Sequence, residues 1–139
     1  MFTKRVDDYL LVRLERGEEI IEKLKEACER EKIYAGVVSG IGAADEVVMG
    51  VYNARYKIYS KHAIQGDFEI LNLTGNISSK DGEVYTHVHI TLADSKGNMY
   101  GGHLENGRIS ATGEIFIKII SEPLERKFDD KIGLNLFDF

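Results

Sequence analysis

From Asp45 onward, one strand-like segment follows another, and this succession limits the chain to a strand-rich fold. The segments have the apolar and polar patterns of strands and cover residues 46–53, 55–62, 67–77, 84–93, 98–105 and 109–121. Turn-forming residues separate several of them: Gln65-Gly66-Asp67, Lys80-Asp81-Gly82, Ser95-Lys96-Gly97-Asn98 and Asn106-Gly107. Because short connections join successive strands, the pattern predicts hairpins and a largely antiparallel sheet.

The N-terminal part of the chain adds two strands, 9–14 and 34–39, and one main helix from about 18 to 32. In the helix, apolar residues share one stripe: Ile20, Ile21, Leu24, Ala27 and Cys28. Cys28 lies on that stripe, so we expect a packed core thiol. The helix and sheet together predict an α+β fold. With 139 residues, one proline and no low-complexity stretch, we expect a single domain over 1–139.

Three glycines beside the second strand, Gly36, Gly40 and Gly42, have the form G-x-x-x-G-x-G. This form has neither the GK[ST] ending of a phosphate loop nor the order of a dinucleotide-binding loop. We therefore expect a tight turn with positive φ at this position.

Composition disfavours several classes of function. The net charge is −5, and DNA-binding domains generally need a basic face, so nucleic-acid binding is disfavoured. The single cysteine cannot form an internal disulfide, which favours the reducing cytoplasm. The N-terminal residues are not those of a signal peptide, and no apolar run is long enough for a membrane span, so we expect no membrane partner.

Three of the four histidines lie within 17 residues: His87, His89 and His103. Alternate residues of a strand share a face, so His87 and His89 point the same way. If 94–98 forms the hairpin loop, Ala93 pairs with Met99, His89 faces His103, and the apolar residues face one another, including Val88 with Leu104 and Leu92 with Tyr100. The spacing therefore predicts three imidazoles on one face of one hairpin.

Neutral imidazole is a good ligand for zinc and similar divalent ions, and three histidines with an open fourth position form a known zinc site. The alternative is a solvated sheet face that carries histidines by chance. His62, in another strand, is a weaker candidate ligand. Neither a cupin H-x-H-x-x-x-x-E signature nor an HExxH motif is present. Gly101 and Gly102, just before His103, leave room for a ligand or another chain.

Two carboxylates, Glu69 and Glu114, sit within apolar strands. A buried carboxylate needs a partner, so each is a candidate to line the pocket or support the ligands, with a salt bridge as the simpler interpretation.

Several segments together resemble the PPC domain of plants and prokaryotes, found in plant AT-hook nuclear-localised proteins and in stand-alone prokaryotic proteins. The matching segments are Val38-Ser-Gly-Ile-Gly-Ala-Ala, Phe68-Glu-Ile-Leu-Asn-Leu-Thr-Gly-Asn-Ile, His87-Val-His-Ile-Thr-Leu-Ala-Asp with Gly97, Gly101-Gly-His-Leu, and Gly133-Leu134. The resemblance implies an antiparallel sheet flanked by helices, with short helical pieces beside the main one, and a homotrimer. It also implies a metal at His87, His89 and His103. Plant members lack these histidines and carry a basic AT-hook, whose Arg-Gly-Arg-Pro core is absent here.

Two hypotheses follow. The first is a small cytoplasmic, trimeric metal-binding protein whose cofactor is zinc or a similar divalent transition metal. The second is a DNA-associated or regulatory trimeric module in which the metal is structural. The sequence predicts no catalytic residue and leaves open whether the protein is an enzyme.

Overall fold

Four long strands dominate the computed structural model, which describes all 139 residues. In chain order the elements are β1 (Phe2–Val6), β2 (Tyr9–Glu15), α1 (Ile20–Glu31), β3 (Gly36–Asn53), β4 (Ile58–Lys80), β5 (Glu83–Asp94), β6 (Met99–Ile119), β7 (Arg126–Asp129) and β8 (Leu134–Phe137). This confirms the strand-rich α+β class.

The long strands close into a ring of pairings. Strand β3 pairs with β4 and β6, and β5 also pairs with β4 and β6. Strand β2 extends this sheet from β6, and β1 adds to β2, while β7 and β8 form a separate hairpin. Every pairing between these strands is antiparallel, as the short connections predicted.

Between residues 34 and 121 the strands are longer and fewer than expected, with four observed, β3 to β6, where seven were predicted. The predicted turns around Gly66 and Gly107 are wrong, because these glycines lie inside β4 and β6. At Gly107 the reason is a close contact: a Cβ there would lie 3.2 Å from the Ile20 side chain of the helix. The turns at Asp81-Gly82 and at Lys96-Gly97 are confirmed.

The three glycines of β3 allow strand β6 to approach closely and do not form a turn. The predicted tight turn is therefore also wrong. Gly36, Gly40 and Gly42 all lie within the strand. A Cβ at Gly40 would lie 3.0 Å from the Glu114 carbonyl oxygen, and one at Gly42 would overlap the Thr112 carbonyl oxygen. The missing side chains therefore allow the main chain of β6 to lie against β3.

Helix α1 covers one side of the sheet. It begins after Glu19, whose carboxylate accepts hydrogen bonds from the main-chain N–H groups of Ile21 and Glu22, and it ends at Lys32 in the left-handed region. Its buried stripe includes Cys28, and burial raises the pKa of that thiol to about 12. Cys28 is therefore an unreactive core residue, as predicted.

The expected short helical pieces are not found, since α1 is the only α-helix. Helix α1 is not long and apolar enough to cross a membrane.

Gly75 gives a direct test of the ring. It pairs with Val88 across the β4–β5 ladder, and a Cβ there would overlap the His87 carbonyl oxygen. Gly75→Ala should therefore push β5 from β4 and lower the free energy of unfolding by about 2 kcal/mol or more. Urea denaturation measures the change. Gly82→Asn is the control, because Gly82 has open space and a φ of +80° that asparagine tolerates. Equal stability of Gly75→Ala and the wild type would contradict the ring description.

Candidate metal centre

The β5–β6 hairpin has the predicted register. Its ladder runs from Ala93 paired with Met99 to His89 paired with His103. The Asp94 carboxylate fixes the loop, because Oδ1 accepts hydrogen bonds from the main-chain N–H groups of Lys96 and Asn98, each at 2.9 Å.

The ladder ends at the histidine pair. Beyond His103, strand β6 pairs with β3, and Leu104 lies opposite Met49. Val88 of β5 pairs with Gly75 of β4 and has no partner on β6. The expected pairing of Val88 with Leu104 is therefore wrong.

The three imidazoles converge as the spacing predicted. Ring centroids lie 5.2 Å apart for His87 and His89, 5.1 Å for His87 and His103, and 5.6 Å for His89 and His103. One nitrogen from each ring can be chosen so that the three lie within 4.8 Å of one another. No other such group of histidine, cysteine or acidic side chains occurs in the chain.

The histidines line a cavity of about 860 Å³. One wall consists of β3, β4, β5 and β6, with Tyr59 beside His103. The Tyr59 hydroxyl donates to the His103 carbonyl oxygen at 3.3 Å, which leaves the imidazole free. The opposite wall is the β7–β8 hairpin, which contributes Arg126 and the segment Gly133-Leu134-Asn135-Leu136.

The tip of the β3–β4 hairpin holds this second wall in place. The Tyr52 hydroxyl donates to the carbonyl oxygen of Ile132 at 2.7 Å, and the Lys57 ammonium donates to that of Asp130 at 2.5 Å. The cavity is thus formed between two parts of the fold that are distant in sequence.

Local electrostatics favour the neutral form of His87 and His103. Burial, together with repulsion from the nearby His103, Arg126 and His89, lowers the pKa of His87 to about 4. Burial and His89 also hold the pKa of His103 below its usual value. Neutral imidazole is the form that binds metals, so these two ligands need lose no proton near neutral pH.

The residues present fit a zinc-like ion. Zinc–nitrogen bonds are about 2.0–2.1 Å long, so two nitrogens on one tetrahedral ion lie about 3.3–3.4 Å apart. Side-chain rotations would bring the three nitrogens, which lie within 4.8 Å of one another, to that distance. Three nitrogen donors leave a fourth position for a molecule in the cavity.

Other candidates from the sequence are not brought to the cavity. Glu69 and Glu114 are both exposed, so the expectation of buried carboxylates is wrong. Each alternates with buried neighbours, such as Phe68 and Ile70 beside Glu69, and therefore points to the opposite face of its strand. His62 is also exposed and pairs with Met49, away from the other histidines.

Gly102 leaves room for another strand of the same chain. A Cβ at Gly102 would lie 2.8 Å from the Gly50 carbonyl oxygen, so its missing side chain allows β6 to approach β3. The expected room for a ligand or another chain beside Gly102 is therefore occupied by β3, although Gly102 also lines the cavity.

Sequence reasoning missed Arg126 and Asn135. Both belong to the β7–β8 hairpin, which we did not predict. No local pattern marks Arg126, because its hydrogen bonds reach Ser78 and Asn76, some fifty positions earlier in the chain.

The comparisons identify the family. A sequence profile of the Plants and Prokaryotes Conserved (PCC) domain matches residues 1–121. A Pyrococcus horikoshii plant- and prokaryote-conserved (PPC) protein is 30% identical, with a TM-score of 0.86 and coverage of 99% of this chain and 94% of that one. The chain therefore belongs to the PCC family, also written PPC, and the predicted resemblance is confirmed.

Two further solved structures have similar folds. A metal-containing protein from Archaeoglobus fulgidus is 33% identical, with a TM-score of 0.88 and coverage of 100% of this chain and 99% of that one. A Bacteroides thetaiotaomicron protein, described as a candidate for DNA binding, is also 33% identical, with a TM-score of 0.96 and coverage of 99% and 96%.

Among curated proteins, the bifunctional protein GlmU of a Synechococcus species is 30% identical over 108 residues. The match covers 76% of this chain but only 16% of GlmU, so the chain spans about a sixth of the length of that relative.

The low pKa of His87 predicts how the metal-free protein responds to acid. The unfolded chain takes up a proton near pH 6.5, whereas folded His87 stays neutral down to about pH 4. The contribution of His87 to the free energy of unfolding is therefore fully present above about pH 6.5, and it is lost progressively as the pH falls toward 4. Urea unfolding in EDTA at several pH values measures this decrease. His87→Gln should make it smaller, and His62→Gln, outside the cavity, should not. The same slope in His87→Gln and the wild type would contradict the assignment.

Proposed function

We propose that the protein binds zinc, or a similar divalent transition metal, through His87, His89 and His103. The observation that carries this proposal is the convergence of three imidazoles at one end of a single hairpin. The metal-containing relative from Archaeoglobus fulgidus supports it, as does membership of the PCC family.

The donor set favours zinc over the harder ions. Imidazole suits zinc, copper, nickel and iron, whereas magnesium and calcium prefer oxygen ligands, and none of the cavity residues is acidic. A bound zinc ion with an open position would supply a Lewis acid or lower the pKa of a bound water. The protein's own residues would hold the ion and, through the β7–β8 hairpin, limit access of water to it. Hydrolase or lyase chemistry is compatible with such a site.

Replacement of a ligand tests the metal proposal. His89→Ala should abolish stoichiometric metal binding, because two imidazoles hold a divalent ion far more weakly than three. Elemental analysis of protein purified without chelator, followed by zinc titration of the stripped protein, measures this. His62→Ala is the matched control and should retain about one metal per chain. Equal metal content in wild type and His89→Ala would show that the site is elsewhere or absent.

We also propose that the protein works in the reducing cytoplasm, as its one buried cysteine suggests.

A further proposal is that the protein forms a homotrimer, as the family resemblance implies. Support for this assembly comes from apolar side chains exposed side by side on β3 and β6. Val37 is 49% exposed, Ile41 59% and Phe116 51%. Such a patch on an outer sheet face is typical of protein–protein contacts.

Light scattering should give three times the chain mass of 15.7 kDa. Phe116→Lys should shift the protein toward monomer by placing a charge in the contact. Phe139→Lys is the control, because Phe139 is a fully exposed terminal residue outside the patch. A monomer whose mass does not change with concentration would contradict the proposal.

DNA is the alternative partner, and the candidate DNA-binding protein of Bacteroides thetaiotaomicron favours it. The net charge of −5 argues against it. We expect binding of duplex DNA no tighter than about 10⁻⁶ M at physiological salt, with a steep loss as salt increases. Fluorescence anisotropy with unrelated duplexes measures this. Nanomolar, sequence-dependent binding would favour the regulatory module over the metal-centred function.

A further inference from the structure

Arg126 is a buried guanidinium without an acidic partner. It is only 8% exposed. Its Nε donates to the Ser78 hydroxyl at 2.7 Å, and its Nη atoms donate to the Asn135 carbonyl at 2.7 Å and the Asn76 side-chain oxygen at 2.8 Å. All three acceptors are uncharged, so its positive charge is not neutralised by them.

Aromatic rings lie near the same guanidinium. Its central carbon is 4.9 Å from the centroid of the Tyr85 ring and 4.3 Å from that of Phe137. These contacts and the three hydrogen bonds fix its orientation. A guanidinium has five N–H donors, so one N–H on each Nη remains unused.

The cavity walls supply no compensating charge to Arg126. The cavity that it lines has no aspartate or glutamate in its walls. A cation in a partly dry cavity is costly unless an anion accompanies it. The cavity therefore favours an anionic ligand, and a metal at the histidines would strengthen this preference.

Arg126 also lies close to the histidines. Its partner Asn76 is directly opposite His87 in the β4–β5 ladder, and its partner Ser78 is opposite Tyr85. Opposite residues in an antiparallel pair have Cβ atoms about 4.5–5.5 Å apart, so one small molecule can reach both Arg126 and the histidine cluster.

Asn135 provides a second polar contact in the same cavity. Its Oδ1 atom is buried and is the only buried side-chain oxygen or nitrogen without a hydrogen-bond partner. Because a buried acceptor without a donor is unfavourable, a rotation of the Asn135 side chain toward the cavity would allow this oxygen to accept a hydrogen bond from a ligand hydroxyl or amino group.

We propose that Arg126 and Asn135 form a carboxylate-binding subsite for a small organic acid that carries a hydroxyl or amino group. The two unused N–H donors of one planar guanidinium match the two oxygens of a carboxylate. A cavity of about 860 Å³ is within the usual range for small-molecule sites. The carboxylate subsite does not depend on a metal. Only the placement of the other end of the ligand near the histidines rests on the proposed metal function.

The test uses metal-free protein, so that carboxylate binding is measured separately from metal binding. NMR titration of the Arg126 Nε–H signal follows three probes: lactate, which has a carboxylate and a hydroxyl, propionate, which lacks the hydroxyl, and inorganic phosphate. We expect saturable binding of lactate, with propionate weaker by about threefold or more for want of one hydrogen bond. Phosphate should bind more weakly than lactate.

Variants assign the binding to the named residues. Arg126→Gln should weaken lactate binding at least tenfold, followed through the amide signals of the cavity. Arg5→Gln, which removes the same charge from an exposed position on β1, should leave it unchanged. Asn135→Ala should remove the difference between lactate and propionate. If Arg126→Gln does not fold, Asn135→Asp replaces it, since a carboxylate placed in the cavity should repel the probe at least tenfold.

The outcomes are separable from those of the metal proposal. Loss of metal binding in His89→Ala with intact lactate binding supports both. Absence of metal from the wild type with Arg126-dependent lactate binding overturns only the metal function. No saturation by lactate up to about 100 mM, equal affinity in Arg126→Gln and wild type, or tighter binding of phosphate than of lactate would overturn the carboxylate subsite.

Discussion

The closure of four strands into a ring is the constraint on which the rest of the structure depends. Strand β5 pairs with both β4 and β6, and β3 completes the ring on the other side. Glycine occurs in the ring where a Cβ would crowd the main chain of the neighbouring strand. Gly75 lies against the His87 carbonyl, and Gly102 lies against Gly50. Hydrogen bonding around the whole ring leaves little freedom for β5, so the histidines that it carries are positioned by the fold as a whole.

The candidate site follows from this arrangement. The ring fixes His87 and His89 on one strand and His103 on the next, while the C-terminal hairpin encloses the space beside them. Burial keeps His87 neutral, which suits metal binding, and it leaves Arg126 as the cationic group of the opposite wall. The two proposals give the walls complementary roles: one would offer nitrogen donors to a metal, and the other would offer N–H donors to an anion.

Local chemistry was enough to predict the histidine hairpin, because the alternation of its strands and the Asp94 loop fix the register within some fifteen residues. It was not enough for the strand lengths, since a glycine in a strand and a glycine in a turn look alike without their tertiary neighbours, as Gly66 and Gly107 show. Alternation also does not say which face of an isolated strand is buried. Glu69 and Glu114 were therefore expected on the buried face, whereas both are exposed. Strands β7 and β8 are short, and their contacts reach residues about fifty positions away, which explains why Arg126 went unrecognised.

The most direct test of the central claim is anomalous diffraction from crystals grown with zinc, measured on both sides of the zinc absorption edge. We predict one anomalous peak per chain among the side chains of His87, His89 and His103, with zinc–nitrogen distances of about 2.0–2.1 Å. A peak at any other place, or no peak in protein that diffracts well, would contradict the proposal that His87, His89 and His103 bind zinc.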